Sequence, residues 1–177
     1  LNTYETDYID LYNDDNFQPA DYDIVILYGV SVGNDLREEI IAEKIPTFFI
    51  TPPNDDFTVF NDWKTGINID LQGESYNLAT VVVNKEFSAF KVPPVLSEVA
   101  GSWSPLNVPY ADFDMGGGVS SLFYQKIGSV ETDMPLLSVS KSLDTRYVVL
   151  FGDGFWKWRI RNNDNKLAFD QVIAGAL

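Results

Sequence analysis

The chain has 177 residues, and neither cysteine nor histidine is among them. Without thiols there is no disulfide, no thiolate nucleophile and no zinc-thiolate site, so cysteine usage says nothing about the redox compartment. Without imidazole the commonest general base and metal ligand is missing, and neither a Ser-His nor a Cys-His pair can be assembled. Cationic residues are scarce as well: 12 Lys and Arg stand against 26 Asp and Glu, a formal charge of -14. Such a surface repels a phosphate backbone, which needs clustered cations, and it repels anionic lipid. Nucleic acid is therefore not expected as a partner. Apolar runs stay well short of the roughly 18 to 20 residues that span a bilayer, so direct membrane insertion by this segment is not expected. No repeat or low-complexity tract is visible.

The chain has the size of one domain, and residues 1–177 are read as a single domain cut from a longer protein. Its first strong signal is YDIVILYG, where Ile24 to Leu27 run without polar interruption, as in a central strand covered on both faces. VSVGNDLREEIIAEK follows, with Asp35 and Glu38 at capping-box spacing and Leu36, Ile40 and Ile41 on one face, so a helix is predicted over about 35–44. Ile45-Pro46 ends it, and TFFI gives a second buried strand before the turn TPPND.

Further on, FTVFNDWK suits a short helix, while INIDL and ATVVVNKEF suit strands. From Ser88 to Gly118 the Pro and Gly content predicts a long irregular excursion. VSSLFYQKIGSV and LLSVSKSL alternate in a way that suits an antiparallel pair or a sheet edge, and TRYVVLF reads as another buried strand. Phe169, Val172, Ile173, Ala176 and Leu177 share one face of a closing amphipathic helix. Strands alternating with helices predict an α/β fold with a mostly parallel sheet, flanking helices and an antiparallel edge.

Candidate chemistry is sparse. Gly152-Asp153-Gly154 could form an anion-binding turn, but it lacks the Lys and Ser/Thr of a phosphate loop. Alternatively the glycines permit a sharp turn and Asp153 caps a helix starting near Phe155. Trp156 and Trp158 lie two residues apart, so one is expected in the core and the other exposed, as a sugar or peptide platform or as plain packing. The clusters NDDN (13–16), NDDF (54–57) and NNDN (162–165) lack the alternation of a calcium loop and read as turns.

Thr51 ends a buried strand, where open α/β sheets carry their sites. A candidate ligand cleft is accordingly assigned to Gly29, Thr51, Asn54 and Asp153, and a candidate interaction surface to Trp103, Tyr110 and Trp156. Neither a metal site nor a cofactor is expected. Asp112, Asp114 and Asp153 lie near aromatic segments, and paired carboxylates can run glycoside chemistry.

Two stretches resemble class I glutamine amidotransferase-like domains. YDIVILYG, a helix and KIPTFFITPPND are similar to that family's "yDgiilsGG" strand, helix and "kPilGICLGHQ" elbow. Thr51 stands where the catalytic Cys belongs, and Phe49 and Pro53 stand where its flanking glycines belong. YVVLFGDGFW occupies the place of the His-Pro-Glu strand end, and FSAF with PPV is similar to an "FsLF…PPL" pattern of amidotransferase-like domains in large bacterial envelope proteins. The resemblance spans about residues 5–177. It implies a flavodoxin-like, non-catalytic domain, a binding or interaction module in a periplasmic or envelope-associated bacterial protein, with cytoplasmic placement open. Its partner would be an unidentified protein or small molecule. The alternative is a carboxylate-dependent hydrolase or a sugar-binding or sugar-processing domain.

Overall fold

A computed structural model describes residues 4–11, 17–160 and 162–177. The turn cluster at 13–16 lies outside them. Seven strands form one mixed sheet, in the order β1 (Val25–Tyr28), β2 (Thr47–Thr51), β7 (Thr145–Phe151), β6 (Val130–Ser142), β5 (Val119–Ile127), β3 (Ile67–Val83) and β4 (Leu106–Met115). The helices are α1 (Asn34–Ala42), α2 (Phe57–Asp62), α3 (Leu96–Val99), α4 (Trp156–Arg159) and α5 (Asn163–Ala176).

The expected flavodoxin-like, mostly parallel sheet is not what forms. The β1–β2 and β2–β7 ladders are parallel, but β3–β4, β3–β5, β5–β6 and β6–β7 are antiparallel. Local turn chemistry explains the difference. Between β6 and β7 the chain reverses through Leu143 and Asp144, both at positive φ (50° and 64°), which is the backbone of a tight primed hairpin turn. Between β5 and β6 it reverses beside Gly128 at φ 60°. Hairpins of this length deliver antiparallel neighbours, whereas parallel pairing needs a crossover such as α1.

At the centre of the sheet, every residue of β2 is buried, and in β7 all but the half-buried Arg146 are buried. Successive side chains therefore enter opposite cores. Phe48, Ile50, Val148 and Leu150 pack with α5 and with Trp103 and Trp158, while Phe49, Tyr147, Val149 and Phe151 pack with Ile40 of α1 and with Phe57, Phe60 and Trp63. The Phe49 ring meets Trp63 and Phe60 edge-on, with centroids 4.9 and 5.5 Å away.

YDIVILYG is not a central strand. β1 has a strand partner on one side only, and its burial alternates: Val25 and Leu27 are 6% exposed, Ile26 is 51% and Tyr28 is 64%. The helix α1 begins one residue earlier than its pattern predicted, with Gly33 as N-cap and no side-chain cap, so Asp35 falls inside the first turn. By contrast α2 is capped by Asp56, whose carboxylate accepts from the backbone N–H groups of Thr58 and Val59.

The two predicted strands INIDL and ATVVVNKEF fuse into the 17-residue β3, whose register with β4 breaks between Leu71 and Tyr76. That break lets the ribbon wrap the end of the central strands. Ile67, Ile69 and Ala111 serve one core, and Ala79, Val81, Leu106 and Val108 serve the other. The excursion predicted over 88–118 thus contains the strand β4, which tolerates Pro109 because it is a sheet edge and Pro109 sits next to the register break. At the crossing, the Asp153 backbone N–H donates to the Asn107 carbonyl at 3.0 Å. Gly152 is left-handed there (φ 123°), and a Cβ on it would lie 2.8 Å from the Asn107 oxygen.

Closing the chain, α5 is N-capped by Asn162, and Asn165, Ala168, Phe169, Val172 and Ala176 are its buried residues. No helix among the described residues is long and apolar enough to cross a membrane.

Two substitutions test this account by chemical denaturation. Gly152→Ala combines left-handed strain with a clash against backbone and is expected to destabilise by about 2–4 kcal/mol; a change below about 0.5 kcal/mol would mean that β4 does not cross as described. Leu143→Asn relieves a β6–β7 turn position that a branched apolar residue occupies poorly, and should stabilise by about 0.5–1 kcal/mol.

Candidate functional site

The parallel strands β1, β2 and β7 present their C-terminal ends on one side of the molecule. β1 ends at Tyr28, and Gly29 at φ 85° turns the chain away while its N–H still donates to the Ile50 carbonyl. The next residue, Val30, donates its N–H to Asp55 Oδ1 at 3.1 Å, and the Asp56 N–H donates to the same oxygen at 3.1 Å. Asp55 therefore ties the loop after β2 to the loop after β1. Its other oxygen, Oδ2, is buried and has no hydrogen-bond partner among the described residues. Burial raises the Asp55 pKa, and the Val30 and Asp56 N–H groups, which favour the carboxylate, work in the opposite direction.

Tyr28 projects from the end of β1 and donates its hydroxyl proton to Asp153 Oδ1 at 3.1 Å. The phenol pKa is raised first by burial, then by the Asp153 charge and hydrogen bond, with a contribution from Asp55. Asp153 does not cap α4, whose N-cap is Phe155 without a side-chain bond. Its carboxylate is held beside Tyr28 because its own backbone is pinned to β4.

Beside Tyr28 a cleft of about 470 Å³ runs along the outer edge of β1. Tyr8, Phe17, Tyr22 and Tyr28 supply aromatic walls, and Asp7, Asp10 and Asp55 supply carboxylates. Tyr22 donates to Asp7 Oδ2 at 3.1 Å, and the Phe17 and Tyr22 rings lie 5.5 Å apart. Among the described lining residues there is no Lys or Arg.

Of the residues assigned to a ligand cleft from sequence, Gly29 lines it and Asp153 touches it through Tyr28. Thr51 does not take part: it is fully buried and its hydroxyl donates to the Leu150 carbonyl at 3.3 Å. Asn54 is exposed on the following turn, outside the cleft lining.

The proposed interaction surface separates. Trp103 is 3% exposed, stacked on Trp158 at 4.6 Å, with its indole N–H donated to Asn165 Oδ1 at 2.6 Å, so it is a core residue. Tyr110 is exposed on β4, and Trp156 is exposed on α4 with the Lys157 ammonium 5.5 Å from its ring. Asp112 and Asp114 are exposed on β4, in register with Asp70 and Asn68 of β3, and neither lines the cleft. Among the described residues no three acidic side chains converge as a metal-holding group.

Sequence reasoning missed Tyr8, Tyr22 and Tyr28, and passed over Asp55 as one of a run of turn-forming acids. The available signal was a tyrosine closing an apolar strand directly before glycine, followed at a distance by an acid after the neighbouring strand.

No family model and no curated protein sequence matches the chain. Among solved structures it is similar to a β-galactosidase from Bacillus circulans sp. alkalophilus, with 11% identity and a TM-score of 0.48 over 88% of this chain and 22% of that one. It is also similar to a cold-adapted β-galactosidase from Rahnella sp. R3, with 15% identity and a TM-score of 0.47 over 87% of this chain and 23% of that one. The chain thus spans under a quarter of the length of either enzyme, and neither likeness bears on activity. The resemblance to glutamine amidotransferase-like domains is overturned: no such family model matches, and the sheet is mixed, with four of its six ladders antiparallel. The short motifs behind it, a buried strand, a Gly turn and a Trp-rich joint, are packing features of many sheets.

Asp55 gives a pH-dependent test. Its raised folded-state pKa means that its contribution to stability is full below the unfolded value and is lost as pH rises through the folded one. Asp55→Asn keeps an acceptor for both backbone N–H groups and cannot ionise. Its stability relative to the parent chain should therefore be higher at neutral pH than near about pH 4, measured by urea denaturation at both. A difference that is flat or that falls towards neutrality would show that the carboxylate is not buried as described.

Proposed function

We propose that the cleft beside β1 binds a carbohydrate. One observation carries this reading: four aromatic side chains and three carboxylates line the same cleft with no cationic side chain among the described residues. A pyranose ring has one weakly polar C–H face, which suits an aromatic wall, and a rim of hydroxyls, which suits carboxylate acceptors. The carboxylates disfavour phosphorylated or otherwise anionic ligands, because no Lys or Arg stands among the described lining residues. The volume lies within the range of small-molecule sites. Tyr28 is the central contact: its exposed ring faces the cleft while its hydroxyl is fixed to Asp153.

The test is titration of the chain with uncharged and amino mono- to trisaccharides, followed by amide NMR shifts and calorimetry. Saturable shifts are expected at Tyr28, Val30 and Asp55. Tyr28→Ala should weaken binding about tenfold, equivalent to about 1.4 kcal/mol, while Leu167→Ala, on exposed α5 surface, should leave it unchanged. Shifts absent from this loop cluster across the whole panel would refute the reading.

A further inference from the structure

We infer that the sugar taken by this cleft carries a free, protonated amino group. This inference rests on the carbohydrate reading and narrows it through the balance of donors and acceptors. The hydroxyl protons of Tyr22 and Tyr28 are committed to Asp7 and Asp153, and the Val30 N–H is committed to Asp55. What the walls then offer a ligand is mainly acceptors, such as the remaining lone pairs of the Asp7 carboxylate and the Tyr28 oxygen.

Five cations are engaged elsewhere, in Arg37–Asp62, Lys44–Asp144, Lys126–Glu131, Lys141–Asp144 and Arg159–Asp170, and no described Lys or Arg lines the cleft. No ion pair among the described residues reaches Asp7 or Asp55. Asp55 is the decisive group, because its Oδ2 is buried without a partner at the edge of the cleft. A buried charge without a counter-charge is unfavourable, so a cation arriving beside it binds more favourably than a neutral group would. An alkylammonium adds three donors to a site short of them, and its charge suits the faces of neighbouring aromatic rings such as Phe17 and Tyr22. A hydroxyl alone meets only part of this demand.

The experiment compares three trimers of one linkage, built from glucosamine, N-acetylglucosamine or glucose, by calorimetry in slightly acidic buffer at low salt. The glucosamine trimer should bind at least about tenfold more tightly than the other two, an advantage equivalent to about 1.4 kcal/mol. That advantage should shrink as salt rises and in Asp55→Asn and Asp7→Asn, two near-isosteric changes whose folding is checked by thermal unfolding.

Trilysine controls for attraction to the net charge alone. If it binds as well as the glucosamine trimer, and Asp55→Asn leaves glucosamine binding unchanged, the inference is wrong. If the glucose or N-acetylglucosamine trimer binds as tightly as the amine, the inference fails while the carbohydrate reading stands. Binding of none of the three, nor of any other sugar in the wider panel, overturns both.

Discussion

The structure depends on the burial of β2 and β7 on both faces. Alternating side chains of Phe48, Phe49, Val148, Val149, Leu150 and Phe151 supply apolar surface to two cores at once, and each core then requires its own cover. On one side the cover is α5 with the stacked Trp103 and Trp158; on the other it is α1, α2 and the first half of β3. Removing a large ring from such a position costs about 3–5 kcal/mol, a large share of a domain's net stability. No comparable demand exists at β1, which has a neighbour on one side only and leaves Ile26 and Tyr28 open. The cleft exists where the two-sided burial stops.

The wrapped β3–β4 ribbon connects this architecture to the site. Because the ribbon serves both cores, it has to pass the C-terminal end of β7, and it does so with the Asn107 carbonyl bound to the Asp153 N–H. Gly152 is required there by both backbone angle and space. The residue after it is consequently fixed in position, and its carboxylate meets the Tyr28 hydroxyl across the ends of the parallel strands. Asp55 performs the matching task from the other side, holding the turn after Gly29 through the Val30 N–H. Two acids from distant parts of the chain thus hold the end of β1, Asp153 at the Tyr28 hydroxyl and Asp55 at the Val30 N–H.

Much of the local structure was legible because it is written in short periods. The closing helix, the α2 segment, the antiparallel pairing of β5 with β6, and the split between a buried Trp158 and an exposed Trp156 all follow from side-chain spacing and turn residues. What could not be read was pairing. An apolar run such as IVIL looks the same whether its second face meets a helix or an open cleft, so β1 was misplaced at the centre. The Pro-rich stretch hid β4, because an edge strand tolerates Pro109 and carries no strong pattern of its own. The site was only partly legible for the same reason: Gly29 and Asp153 announce turns, but the partners Asp7, Tyr22 and Tyr28 come together through tertiary structure. Thr51 and Trp103 were attractive as residue types and turned out to be interior.

An open strand edge is a hazard as well as an opportunity, since unpaired backbone groups invite pairing with another chain. Along β1 the cleft is lined by Asp7, Asp10 and Asp55, and the chain as a whole carries a charge of -14. A second copy approaching this edge brings the same carboxylates with it, so like charges meet at close range and association is opposed. The same arrangement does not oppose a small ligand that is rich in donors or positively charged. Negative charge at β1 thus opposes pairing of the edge with its own kind, and the proposed ligand would meet the same carboxylates in the space that the unpaired edge leaves open.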